Sequence, residues 1–146
     1  MGLFDFIKSA GEKVLATAGG SPGAQIADHL RGKGLNTEGV TVEFDPVSSE
    51  AKISGRTATQ ADREKIRVAL GNIAGVEKVA DEVEADDGTA ESRFYTVKSG
   101  DTLGKIAKEM YGNAGKYPVI FEANQPMLEN PDKIYPGQVL RIPPLD

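Results

Sequence analysis

Residues 95–103 read YTVKSGDTL and combine the signals for a strand, a turn and a helix start in one short segment. Residues 95–98 predict a short strand, and Gly100 predicts a tight turn after it. Asp101 is placed to cap a helix over residues 102–111, where apolar residues recur at helical spacing.

Further along, residues 134–143 read IYPGQVLRIP, a turn at a Pro-Gly pair that leads into a second strand. Between these stretches a second helix is predicted over about 116–124, with Pro118 in its first turn, where proline is tolerated. The chain from residue 94 onward therefore predicts a strand, two helices and a returning strand.

This order of elements and its motifs resemble the LysM domain over residues 94–143. The resemblance implies a β-α-α-β fold and binding of N-acetylglucosamine-containing glycans such as peptidoglycan and chitooligosaccharides. It places the glycan in a shallow groove between the turn after the first strand and the segment before the second. The groove residues are then Gly100, Asp101, Thr102 and Leu103 on one side and Asn124, Ile134, Tyr135 and Pro136 on the other.

Upstream of this unit, the sequence predicts a second set of elements. A helix over residues 24–33 ends near two glycines, and strands over 40–44 and 51–55 are joined by a polar hairpin loop. Thr59 begins a capped helix, and a third strand is predicted over 76–83.

The order helix, strand, strand, helix, strand resembles the BON domain, a small α/β module of bacterial osmotic-stress and envelope proteins. The matching features are Gly55 after the second strand, the helix start at 60–66, and the Gly-Val pair at 75–76. The chain as a whole predicts an α+β protein of two small domains. Its segments are an N-terminal amphipathic helix over 1–18, a BON domain over 24–84, a polar linker over 85–93 and a LysM domain over 94–146.

Within the N-terminal segment, residues 3–15 predict a short helix with one apolar face. That face is formed by Leu3, Ile7, Ala10 and Val14. A membrane-surface helix is one interpretation, but such helices are usually strongly basic and this one is not. We therefore favour a helix that packs on its own protein, with no membrane partner. No signal-peptide pattern is visible, which predicts a cytoplasmic location.

Composition and residue types exclude several classes of function. The 146 residues carry 17 Lys and Arg against 22 Asp and Glu, a net charge of −5, so no basic face for nucleic acid is visible. The absence of cysteine excludes disulfides and thiolate metal sites. His29, the only histidine, belongs to no catalytic triad pattern, and no carboxylate lies in an evident apolar pocket. We predict a binding protein rather than an enzyme, and we expect a monomer.

One BON domain followed by one LysM domain, in a chain that starts with MGLF, closely resembles the bacterial cytoplasmic potassium-binding proteins of BON–LysM type. That resemblance implies the potassium ion as ligand and a response to its concentration. Glycan binding through the LysM groove is the alternative, which the missing export signal disfavours because a cytoplasmic protein does not meet the cell wall. A protein-interaction adaptor, in which neither site is occupied, is a third interpretation.

A potassium ion is best matched by a ring of neutral backbone carbonyls, and such groups lack partners where a helix ends. Residues 71–76, GNIAGV, end the capped helix, and their glycines allow carbonyls to turn inward. A cage there uses backbone oxygens of Gly71, Ile73 and Val76, closed by those of Ile7 and Ala10. Ion binding would then order the N-terminal segment. The alternative is an ordinary glycine-containing turn between a helix and a strand.

Overall fold

The protein is described by a computed structural model. The described residues are 2–5, 22–45, 47–73, 75–89 and 91–145, with the backbone alone for 2–5 and 22–24. Two units follow one another along the chain, the first built on a four-stranded sheet and the second on a two-stranded sheet. The predicted α+β class is confirmed.

The first unit runs through β1 (Gly2–Asp5), α1 (Pro22–Gly32), β2 (Val40–Asp45), β3 (Glu50–Thr57), α2 (Gln60–Gly71) and β4 (Lys78–Ala85). The second unit runs through β5 (Arg93–Thr96), α3 (Leu103–Tyr111), a 3-10 turn (Ala114–Lys116), α4 (Tyr117–Ala123) and β6 (Val139–Ile142). From α1 to β4, and again from β5 to β6, the helices and strands follow the predicted order.

The N-terminal residues depart from the prediction. They form the strand β1, which pairs antiparallel with β4 and places Asp5 opposite Lys78. The predicted helix over residues 3–15 is therefore wrong for residues 3–5, because pairing with a strand satisfies their backbone groups in place of helical hydrogen bonds. The rest of that predicted helix lies outside the described residues.

The first sheet has the strand order β1-β4-β3-β2. β2 and β3 form the predicted antiparallel hairpin, whereas β3 and β4 are parallel and joined through α2. Thr59 caps α2 as predicted, since its hydroxyl accepts the N–H of Asp62 at 3.0 Å. Gly55 on β3 has a φ of 119°, and a Cβ there would collide with the carbonyl oxygen of Gly39. This close approach of two strands requires glycine.

In the second unit, β5 and β6 pair antiparallel, and α3 and α4 pack against each other. The predicted cap of the first helix is wrong by one residue. Thr102 caps α3 by accepting the N–H of Lys105 at 3.1 Å. Asp101 instead accepts hydrogen bonds from the Tyr95 hydroxyl at 2.7 Å and from the Lys98 N–H at 2.8 Å. The carboxylate thus fixes the turn that precedes the helix.

One hydrophobic core joins the two units. Ile53 and Leu70 from the first unit and Leu140 and Ile142 from the second belong to the same cluster, and none has exposed surface. Burial of apolar surface is the dominant favourable term in folding. Because the buried surface is continuous, each unit is stabilised by the other.

The predicted linker, residues 85–93, is tied to α2 in its described part. The Asp87 carboxylate accepts the N–H of Gln60 at the start of the helix, at 3.1 Å. Farther along, Glu91 pairs with Arg67 on the same helix, also at 3.1 Å. These contacts hold the connection against the first unit, so it is not a free spacer.

Candidate functional site

Three of the five predicted ion ligands lie in the α2–β4 turn, which we define as residues 71–77. The helix tightens as it ends, since the Ile73 N–H donates to the Leu70 carbonyl at 3.3 Å. The Val76 N–H then donates to the Ile73 carbonyl at 3.1 Å and closes a turn. Gly75 has a φ of 102°, a conformation that favours glycine. Because a carbonyl oxygen has two lone pairs, the Ile73 oxygen keeps one for a second partner.

The three assigned positions of the α2–β4 turn are buried. Gly71 is buried, and neither Ile73 nor Val76 has exposed surface. The last carbonyl groups of α2 carry the partial negative charge of a helix C-terminus. In the part of the chain that the structure describes, no three His, Cys, Asp or Glu side chains converge as a metal cluster. The backbone carbonyls at positions 71, 73 and 76 are neutral oxygen atoms.

The far end of the turn is held by the loop between β2 and β3. The carbonyl oxygen of Ser49 accepts the N–H groups of both Glu77 and Lys78, at 2.8 and 3.2 Å. Ser49 is buried and has a φ of 58°, an uncommon conformation for a residue other than glycine. The two hydrogen bonds fix the point at which the turn enters β4.

The near end of the turn is held by Asn72, the C-cap residue of α2. Its side-chain nitrogen donates to the Val139 carbonyl at 2.8 Å, and its side-chain oxygen accepts the Val139 N–H at 2.9 Å. Only 5% of Asn72 is exposed, so both hydrogen bonds lie in the interior. The sequence signals a helix end at this residue but not its partner, which lies 67 residues away.

The other two predicted ligands, Ile7 and Ala10, lie outside the described residues. The nearest described residue of that segment is Asp5, which is opposite Lys78 at the start of β4. β1 therefore ends next to the α2–β4 turn.

A groove lies at the start of α3, near part of the predicted glycan site. The groove has a volume of about 290 Å³ and is lined by Thr102, Leu103 and Gly104 together with Tyr117, Pro131 and Asp132. Thr102 and Leu103 are the two predicted glycan-binding residues in this lining. Residues 131–132 contribute to it, whereas residues 134–136 do not.

The remaining predicted groove residues are placed differently. Asn124 is 1% exposed, and its side chain holds the backbone of Arg141 at 2.8 and 3.0 Å. Tyr135 lines a separate pocket of about 180 Å³ beside Gln138. Gly100 and Asp101 form the turn before α3, while Ile134 is half-buried and Pro136 is exposed. The structure therefore does not bring the eight residues into one groove.

Asp101 is fixed in its turn by two hydrogen bonds. The Lys98 N–H and the Tyr95 hydroxyl donate to its carboxylate and hold the pKa of Asp101 below its ordinary value. The hydrogen bond to Asp101 in turn raises the pKa of Tyr95 to about 12. Both groups support the turn at the edge of the groove.

Between α2 and β6, Glu64 and Arg141 form a buried ion pair. Nε and Nη2 of Arg141 lie 3.0 and 2.9 Å from one carboxylate oxygen of Glu64. The Gln60 amide and the Ser92 N–H donate to the other oxygen at 2.8 Å. Burial alone raises the pKa of Glu64, but hydrogen bonds from Ser92, Gln60 and Arg141 outweigh it and lower that pKa. The sequence shows no pocket for this carboxylate, which is fully paired and therefore structural.

Comparison with known proteins adds further findings. Residues 95–143 match the LysM domain family, which confirms the resemblance of the second unit. The potassium binding protein Kbp of Escherichia coli O6:H1 is 47% identical over 148 residues, which cover 98% of this chain and 99% of that protein. An uncharacterized protein of Deinococcus radiodurans is 44% identical over 69 residues, or 47% of this chain and 25% of that protein. Among the described residues, no helix has the length and apolarity needed to cross a membrane.

Proposed function

Because the chain belongs to the family of the potassium binding protein Kbp, we propose that it binds potassium ions. The similarity to Kbp extends over nearly all of both proteins, so the proposal concerns both units rather than the LysM part alone. The ion is a bound ligand of a non-catalytic protein, and no reaction is assigned to it.

The geometry of the α2–β4 turn supports the location that we propose for the ion. The turn contains the C-terminal carbonyls of a helix at buried positions, with a glycine of positive φ at position 75. We assign the backbone oxygens of Gly71, Ile73 and Val76 as ligands. Neutral carbonyls suit potassium, whereas calcium and magnesium are bound mainly through carboxylates and water.

The N-terminal segment supplies the remaining ligands in this proposal, at Ile7 and Ala10. β1 ends at Asp5 opposite Lys78, and two residues of chain span at most about 7 Å. The backbone oxygen of Ile7 is therefore within reach of an ion held near Val76. An ion that bridges the two segments stabilises the folded chain by mass action.

In the cell, such a protein would bind potassium in the cytoplasm and respond to its concentration, which connects it with osmotic stress. The N-terminal segment and the BON domain, residues 24–84, would hold the ion. The LysM domain, residues 94–146, would be stabilised along with them through the shared core. Ion-linked ordering of the chain is the physical basis of the response.

Thermal unfolding of the full chain tests this function. We expect a higher Tm in potassium chloride than in sodium chloride at equal ionic strength, because only the larger, weakly hydrated ion fits the carbonyl cage. Since nonspecific screening depends on ionic strength alone, it acts equally in both salts. The same Tm in both salts would contradict potassium binding.

The groove at the start of α3 favours a second candidate function, the binding of N-acetylglucosamine-containing glycans. Its aromatic residue, Tyr117, is 44% exposed and lines the groove together with polar residues such as Thr102. Retention on insoluble peptidoglycan that is lost in Tyr117→Ala would support it. No retention of the unsubstituted chain would exclude it.

A further inference from the structure

Two asparagines form the same pair of side-chain hydrogen bonds to the backbone of one strand, β6. Asn72 ends α2 and holds the backbone N–H and carbonyl of Val139. Asn124 ends α4 and holds the backbone N–H and carbonyl of Arg141, two residues farther along β6. Both asparagines are buried. The difference is that Asn124 belongs to the second unit, whereas Asn72 belongs to the first.

The two asparagines close the edge of β6 that faces away from β5. Backbone groups of alternate residues in a strand point to opposite sides. On the β5 side, the carbonyl of Gln138 accepts the N–H of Val97 at 2.8 Å, so residue 138 faces β5. Val139 and Arg141 therefore present their backbone groups to the other side, where the asparagine amides take the place of a third strand.

We propose that Asn72 is a positioning residue for the potassium site. Its hydrogen bonds to the β6 backbone hold the end of α2, and thereby the site, in place. The inference rests on the proposed function. Asn72 lies between Gly71 and Ile73, whose carbonyls are assigned to the ion. Its two hydrogen bonds fix the dihedral angles at the end of α2, and therefore the directions of the carbonyls on either side.

The same geometry makes the coupling reciprocal. If attachment of Asn72 to β6 improves the fit of the carbonyls to the ion, binding of the ion strengthens the attachment by the same factor. Potassium is then expected to protect the backbone amide of Val139 from hydrogen exchange, although Val139 itself is not a ligand. The Arg141 amide, held by Asn124, serves as the internal reference.

The test compares Asn72→Ala with Asn124→Ala in the full chain. Each substitution removes two hydrogen bonds to β6, so the losses of stability should be similar. Potassium affinity is measured by calorimetric titration at a temperature where melting curves show every variant to be folded. We expect Asn72→Ala to weaken potassium binding about tenfold, within the usual range of coupling between two sites, and Asn124→Ala to leave it within about twofold. Asn72→Ser, which replaces the carboxamide with a shorter polar group, is the second variant if the alanine variant does not fold.

The outcomes distinguish the positioning role of Asn72 from potassium binding itself. Equal potassium affinities in the Asn72 and Asn124 variants would overturn the positioning role while potassium binding itself stands. An unsubstituted chain that binds no potassium in the same titration would overturn the proposed function and the inference with it. Selective loss in the Asn72 variants, with slowed exchange at Val139 in potassium, supports both.

Discussion

The α2–β4 turn lies at the C-terminal end of a helix, whereas the groove at the start of α3 lies at the N-terminal end of one. At the turn, the carbonyl end of α2 is buried, and Ile73 and Val76 have no exposed surface. At the groove, the N–H end of α3 is capped by Thr102, and the exposed Tyr117 lines the same groove. A helix favours cations at its C-terminus and acceptors at its N-terminus.

Because of this difference in burial and helix polarity, the turn suits a cation, whereas the groove suits a sugar. A potassium ion requires several oxygen atoms at fixed positions, which the turn offers because both of its ends are held. Ser49 holds one end and Asn72 the other. A sugar requires an open surface with an aromatic face and mixed polarity, which the groove offers. The two sites are therefore separable by substitution.

The largest effect is expected from breaking the ion pair that joins the units carrying these two sites. Glu64→Ala leaves the buried guanidinium of Arg141 without its carboxylate and should cost about 3–5 kcal/mol of unfolding free energy. Urea unfolding followed by circular dichroism measures the loss. The control is Arg56→Ala, because the exposed Arg56 pairs with Glu84 and Asp86 at the surface, and we expect little change there. A Glu64 variant as stable as the unsubstituted chain would show that the two units are not joined through this pair.

An intermediate effect is expected from matched substitutions in the two turns. Gly75 and Gly100 both have positive φ, at 102° and 87°, so alanine at either costs about 1–2 kcal/mol of strain. Gly75→Ala should also remove the excess Tm in potassium over sodium, whereas Gly100→Ala should keep it. If Gly100→Ala removes the potassium response and Gly75→Ala does not, the ion lies near the groove and the assignment is reversed.

The smallest effect on stability is expected from lowering the pH. The folded-state pKa values of Glu64 and Asp101 both lie below their ordinary values, so each group binds protons more readily in the unfolded chain. Their contributions are fully present above an unfolded-state pKa of about 4 and are lost as pH falls through the lower folded-state values. The Tm should therefore be flat down to about pH 5 and then decline. Glu64→Gln and Asp101→Asn should each make the decline shallower, and an unchanged slope in both would contradict the assignment.

The features that the sequence predicts well are local ones. Thr59 and the 95–103 segment encode a cap and a turn within a few residues, and the structure contains both. Local sequence patterns do not predict the strand β1, because its residues have helical spacing and become a strand only by pairing with β4. Nor do they predict the contacts of Asn72 and Glu64, since their partners lie 67 and 77 residues away. What holds the candidate ion site in place is therefore tertiary, and local sequence patterns do not report it.

Carbonyl carbon NMR of the uniformly labelled full chain tests the central claim most directly, because it observes the assigned ligand atoms themselves. Titration with potassium should shift the carbonyl resonances of Gly71, Ile73 and Val76, together with those of Ile7 and Ala10, along one saturating curve. Sodium at the same ionic strength should leave them in place, and Thr102 and Leu103 in the groove should not respond to either ion. Saturating potassium shifts at the groove residues, with no change at residues 71–76, would contradict the account.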